Sequence, residues 1–234
     1  MLEQVSVLGA NIIGEMLCFS MDALKASSAA FFWIDWADGQ PVADDCAAAT
    51  GLAPNLLTNY KESAAAVDPM NISVLVSGRQ RISSLVERRS GSPDRTSLAK
   101  YESFLGFHGY GDEVDLVMWE DDAPVAAIAL FKKGRAGFES VDVQWPAVQR
   151  FMQHHLSFHP RIVRRRESRE LQRRGALTAR ELEVALLVKS GASNAAIAEE
   201  LGIGLATART HVVNILGKLG IHRRAQLGAM VSRW

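Results

Sequence analysis

Two unlike domains are predicted: an α/β domain over residues 1–160 and an all-α domain over residues 175–234, joined by a basic helix over residues 161–174. Three observations point to this division. First, the formal net charge of zero conceals a sharp separation, since residues 1–160 hold 12 Lys/Arg against 20 Asp/Glu and residues 161–234 hold 14 against 6. Second, strand-like and helix-like runs alternate through the first part, the pattern of an α/β layer structure. Third, from Leu177 onward apolar residues recur at helical spacing between capping signals. A length of 234 residues is enough for two modest cores.

In the first domain, Leu8, Ile12, Ile13, Met16, Leu17 and Phe19 predict an opening amphipathic helix. Ala30 to Trp36 reads as an aromatic-rich strand, and Ala37-Asp38-Gly39-Gln40 as the turn after it. Val114 to Glu120 and Pro124 to Phe131 form two β-like runs about Asp121-Asp122-Ala123, the pattern of an antiparallel hairpin. A closing helix starts near Asp142 and carries Val143, Val148, Phe151, Met152, His155 and Leu156, with Pro160 ending or kinking it. Asp44-Asp45 and Asp121-Asp122 read as solvated turns. Cys18 and Cys46 match no metal or redox spacing and are expected to be buried and reduced.

Arg161 to Arg174, with Arg164-Arg165-Arg166 at its centre, reads as a solvated linker helix, with direct phosphate binding as the alternative. Thr178-Ala179-Arg180-Glu181 then has capping-box spacing, and Leu177 and Leu182 are placed as a hydrophobic staple. Gly191 closes this helix and Ser193 caps the next, where Ile197, Ala198 and Leu201 face inward before a turn at Gly202. From Ala206 to Leu219, Ala208, Val212, Ile215, Leu216 and Leu219 make one apolar stripe. At about 100° per residue, Thr210, Val213, Asn214 and Gly217 fall on the opposite face, with Thr207 and Arg209 at its margins. The small residue, turn glycine and inward apolar residue at Ala198, Gly202 and Ala208 have helix-turn-helix spacing.

These residues resemble the DNA-binding domain of the LuxR/NarL family of bacterial transcription regulators. The resemblance runs through Leu177 to Val184, Gly191, Ser193-Asn194, Ile197-Ala198, Leu201, Ile203, Thr207, Arg209, His211, Asn214-Ile215 and Lys218-Leu219. It implies a four-helix unit whose third helix enters the major groove of double-stranded DNA and whose fourth, near Arg223 to Val231, supports a homodimer. By position it implies base reading by Arg209, Thr210 and Val213. Ser193, Asn194, Thr207 and Lys218 become candidates for phosphate contact, and Asn214 belongs to the same DNA-facing set. Gly204, Ala208 and Val213 depart from the family pattern, where Ser, Val and a basic residue are common.

The order of elements in the first domain is similar to GAF- and PAS-type sensory domains. Acyl-homoserine-lactone receptors offer a second template through Tyr60 and Asp68-Pro69, but Asn55 and Asn59 stand where that template expects aromatic residues. A receiver domain fits less well, since no strand near the start ends in paired acidic residues. Trp33, Trp36, Tyr101, Phe104, Tyr110 and Trp119, with Phe107 nearby, are candidates to line a small-molecule pocket. His154, His155 and His159 lie on different sides of a helix without acidic or thiol partners, so no metal or other cofactor is expected. Gly106, Gly109 and Gly111 lack a phosphate-loop fingerprint, and no nucleophile, base and orienting acid group together, which argues against an enzyme.

The expectation is therefore a DNA-binding regulator whose first domain responds to a small molecule. The alternative is a first domain that only dimerises or binds protein. RNA polymerase is a candidate partner. No run approaches the ~20 apolar residues of a membrane span, and Met1 to Gln4 lacks a secretory signal's charge, so a cytoplasmic location is expected.

Overall fold

The computed structural model describes residues 2–37, 40–91, 94–134, 137–138 and 144–231, with backbone alone for residues 2–8, 44–45 and 230–231. Leu8 as a side chain, Asp38 and Gly39 of the expected turn, and Asp142 and Val143 at the expected helix start lie outside the described residues. The chain forms two compact units, Met1–His159 and Pro160–Trp234.

The first unit is built on a five-stranded antiparallel sheet with the order β2-β1-β5-β4-β3. Its strands are β1 (Ser28–Ala37), β2 (Gln40–Thr50), β3 (Ile82–Ser84), β4 (Tyr110–Glu120) and β5 (Ala123–Lys133). The aromatic and β-branched runs explain β1, β4 and β5. Asp121 at φ 53° and Asp122 make the two-residue hairpin turn, matching the preference of Asp for left-handed turn positions. Asp44-Asp45, however, lies within strand β2 and not in a turn. Pairing with β1 overrides the low strand propensity of an Ala- and Asp-rich segment, with register shifts near Phe32 that accommodate the edge.

Helices α1 (Leu2–Leu24) and α6 (Gln144–Leu156) cover one face of the sheet. Ile13, Met16 and Leu17 of α1 and Val148, Met152 and Leu156 of α6 are buried there. Phe19 is turned outward and lies against Phe151 at 4.3 Å between ring centroids. Cys18 is exposed and Cys46 half-buried, which corrects the expectation that both are buried. Cys18 lies one position off the Met16–Leu17–Ser20 stripe, so the helix period itself turns it to solvent. The second face carries α2 (Leu56–Asn59) and its π-helical continuation Tyr60–Ala64, then α3 (Ile72–Ser77), α4 (Leu85–Gly91) and α5 (Arg95–Phe107). Leu56, Met70, Leu75, Leu98, Tyr101 and Leu105 from this layer pack against Ile34, Val117, Ala127 and Ala129 of the sheet.

The second unit is helical: α7 (Pro160–Gly175), α8 (Ala179–Lys189), α9 (Asn194–Leu201), α10 (Leu205–Lys218) and α11 (Arg224–Val231). Pro160 neither ends nor kinks α6, which stops at Leu156; it opens α7, where a missing N–H costs nothing. The arginine-rich α7 is more than a solvated rod. Its Leu171 is fully buried in the core of this unit, and Glu167 pairs with Lys189 of α8. That core gathers Leu177, Val184, Ala185, Val188, Ile197, Ala208, Val212, Ile215 and Leu227.

Candidate nucleic-acid interface and ligand cavity

Capping fixes the positions of the second unit's helices. The Thr178 hydroxyl oxygen accepts from Glu181 N–H at 3.3 Å and the Glu181 carboxylate accepts from Thr178 N–H at 2.9 Å, a closed capping box. Leu177 is buried and Leu182 packs against the same core, as a staple requires. Ser193 caps α9 by accepting from Ala196 N–H at 3.1 Å. Gly202, at φ 62°, supplies the left-handed turn between α9 and α10, a conformation with little cost only for glycine.

Helix α10 buries Ala208, Val212 and Ile215 and leaves Thr207, Arg209, Thr210, Val213, Asn214 and Lys218 exposed. Val213 is 67% exposed, an apolar side chain held in solvent by the helix period alone. Ser193 at the start of α9 is also exposed. Asn194 is different: its Oδ1 is buried without a hydrogen-bond partner among the described residues. Lys218 is engaged, its ammonium 2.6 Å from Glu181, the same carboxylate that closes the capping box. The Lys218 hydrogen bond, reinforced by the Thr178 N–H, lowers the Glu181 pKa to about 2. Gly204 begins α10 without a side-chain cap.

In the first unit, a cavity of about 100 Å3 lies between the sheet and its second helical layer. Phe32, Ala127, Ala129 and Phe131 supply the sheet wall, and Leu56, Met70, Leu75 and Phe104 much of the helical wall. Of the six aromatic residues that sequence singles out, Tyr101 and Phe104 line this cavity and the other four do not. Trp33 points to the opposite face of the sheet, against Phe31 and His159. The strand period decides this, because its neighbours Phe32 and Ile34 take the cavity side. Trp36 lies beyond the covered part of β1 and is 48% exposed. Tyr110 is spent on structure, bonding Ser28 Oγ at 2.9 Å and Ala53 N–H at 2.8 Å. Trp119 is core, its indole N–H donating to the Gln80 carbonyl at 3.1 Å.

Three carboxylates line the cavity: Asp68 from the segment before α3, and Glu113 and Asp115 two residues apart on β4. Asp68 accepts from the Tyr60 hydroxyl and the Met70 N–H, both at 2.7 Å. Glu113 accepts from the Tyr101 hydroxyl at 2.5 Å. Asp115 is 7% exposed, and neither tyrosine hydroxyl donates to it. Burial raises the Asp68 pKa to about 6, against the lowering effect of its two donors. Burial, then Asp115, pushes Glu113 well up, and burial, then Asp68, does the same to Asp115. Sequence reading missed Glu113 and Asp115 because β4 reads as an apolar strand. Acidic residues at i and i+2 on one face of a strand with no polar face were the available signal.

Residues 175–231 match the family model described as bacterial regulatory proteins, luxR family. Over 58 residues the chain is 43% identical to the transcriptional regulatory protein LiaR of Bacillus subtilis (strain 168), an overlap of 25% of this chain and 28% of that protein. The match thus spans little more than a quarter of the relative's length. Among solved structures, a GAF domain/HD domain protein from Geobacter sulfurreducens overlaps 66% of this chain and 93% of its own, with 16% identity and a TM-score of 0.46. SdiA in complex with octanoyl-rac-glycerol overlaps 96% and 88%, with 12% identity and a TM-score of 0.45. At those TM-scores the likenesses are too loose to assign a shared fold. The capping box, the Gly202 turn, the divided faces of α10 and the matched residues agree: the C-terminal unit carries a LuxR-family helix-turn-helix.

Proposed function

We propose that this chain is a transcription regulator that binds double-stranded DNA as a homodimer through α10, and that a small molecule in the cavity of the first unit shifts the population able to bind. The outer face of α10 carries the DNA reading. Arg209, Thr210, Val213 and Asn214 stand exposed together on a helix whose other face is committed to the core. Those side chains suit base edges, since Arg pairs with guanine, Asn with adenine, and Val or Thr methyls meet thymine. Ser193 and Thr207 fit phosphate contact from neighbouring helix starts. The curated relative's name, a transcriptional regulatory protein, supports the same reading. The lined cavity favours sensing over a first unit that only dimerises.

Selection of bound DNA from a random library by the full-length protein, followed by titration against salt, tests this proposal. A symmetric motif with half-sites roughly one helical turn apart, lost in Arg209→Ala, is expected. Binding that follows salt alone, with no motif recovered, would defeat it.

A further inference from the structure

The cavity's chemistry restricts what it can hold. Its polar lining consists of Asp68, Glu113, Asp115, Tyr60 and Tyr101. Both tyrosine hydroxyls already donate, to Asp68 and Glu113 respectively. Among the described residues, no Lys, Arg or His lines the space. Ionised, these carboxylates repel an anionic ligand, whereas a ligand rich in N–H donors finds several acceptor oxygens. Asp115 in particular is buried and lines the cavity, and neither tyrosine hydroxyl donates to it. Ionising a carboxyl so buried carries a large desolvation cost, which a bound cation would offset.

Among the described residues, Arg88 is the basic residue that acts electrostatically on both Asp68 and Asp115. Its guanidinium is directed elsewhere, donating to Ser83 Oγ at 3.2 Å and to Gln80 Oε1 at 2.5 Å. Asp112, which also faces Glu113 electrostatically, is held by the Phe138 N–H at 2.8 Å and by Arg89 at 3.7 Å. Among the described residues, the three cavity carboxylates thus outnumber the cations that act on them. No three His, Cys, Asp or Glu side chains among the described residues are grouped to hold a metal ion, which favours an organic cation. A cavity of about 100 Å3 exceeds the roughly 10–15 Å3 that one water needs, and its wall is mostly aliphatic and aromatic.

We propose that the cavity binds a small organic ammonium ion, with the charged head against Asp115 and Glu113 and an apolar body among Leu56, Met70, Leu75, Phe104 and Phe131. This rests on the reading of the cavity as a ligand site and names the class of ligand. Aromatic walls add to the attraction, since ring faces favour cations. Binding also draws protons off the carboxyls, whose burial otherwise favours their neutral form.

Calorimetric titration of the full chain at pH 7 tests the proposal with two matched sets: hexylamine, 1-hexanol and hexanoate, and 2-phenylethylamine, 2-phenylethanol and phenylacetate. At least one amine is expected to bind tenfold or more tightly than its alcohol, with the carboxylates weakest. The heat should vary between buffers of different ionisation enthalpy in the sense of proton release. Asp115→Asn should remove the amine's advantage while leaving alcohol binding in place; Glu113→Gln serves if that variant does not fold. Alcohols that bind as tightly as amines, or an amine affinity untouched by the variants, would overturn the cation while leaving a small-molecule site. No binding by any of the six probes would overturn both.

Discussion

Arg209 makes no hydrogen bond or ion pair among the described residues and stands on the exposed face of α10. Its replacement by Ala should therefore leave thermal stability unchanged and weaken specific DNA binding by about 1–3 kcal/mol if the guanidinium reads a guanine. Competition binding against specific and scrambled duplexes checks this, since equal loss on both would mean a phosphate contact. Lys218 stands differently, because its ammonium already pairs with Glu181. Glu181 is held below the ordinary carboxylate range, so its contribution to stability is present above its unfolded pKa of 4.5 and is lost as pH falls toward about 2. Glu181→Gln should lower the urea midpoint at pH 7, and the difference from the parent protein should shrink steadily below pH 4. A constant difference across that range would show that packing, not the ion pair, sets the effect. Asp68 has the opposite sign. Its raised pKa means the folded state holds the proton more tightly, so stability of the first unit should fall as pH rises from about 4 through 6. Asp68→Asn should flatten that slope.

At the scale of elements, the second unit was legible almost helix by helix, because its signals are local. Caps at Thr178 and Ser193, turn glycines at Gly191 and Gly202, and one apolar stripe along α10 each act within a few residues. The first unit was legible only where a segment declares itself, as the β4–β5 hairpin does. Strand β2 was hidden, since Pro41 to Ala49 is rich in Ala and Asp and becomes a strand only by pairing with β1. The cavity was half hidden for a similar reason. Aromatic identity singled out six residues, but the two that reach the space, Tyr101 and Phe104, do so from helix α5, while strand parity turns Trp33 to the other face. Local signals also define a test at Gly204, where α10 starts with no side-chain cap. Its φ of −66° and ψ of 148° suit an L residue, and an added Cβ would meet Thr207 Oγ1 at an ordinary 3.6 Å. Gly204→Ser should stabilise the second unit by a few tenths of a kcal/mol, visible as a small rise in its thermal midpoint.

At the scale of the whole molecule, the division into two compact units means that unfolding need not be a single cooperative event. A ligand in the cavity stabilises the unit that contains it by mass action, by about 2.7 kcal/mol at a hundredfold excess over Kd. An operator duplex stabilises the other. Regulation requires more than two independent sites, because a ligand changes DNA affinity only as far as it binds the DNA-competent state differently. That coupling is reciprocal: a factor gained or lost in DNA affinity must reappear as the same factor in ligand affinity. Scanning calorimetry of the full chain should therefore show the ligand raising one transition and DNA raising the other. Titrating ligand into the free protein and into the DNA complex then measures the coupling. Regulation predicts a shift of about 5- to 150-fold between the two affinities, matched by an equal shift in DNA affinity with and without ligand. Equal ligand affinities in both states would leave the cavity a binding site with no hold on DNA.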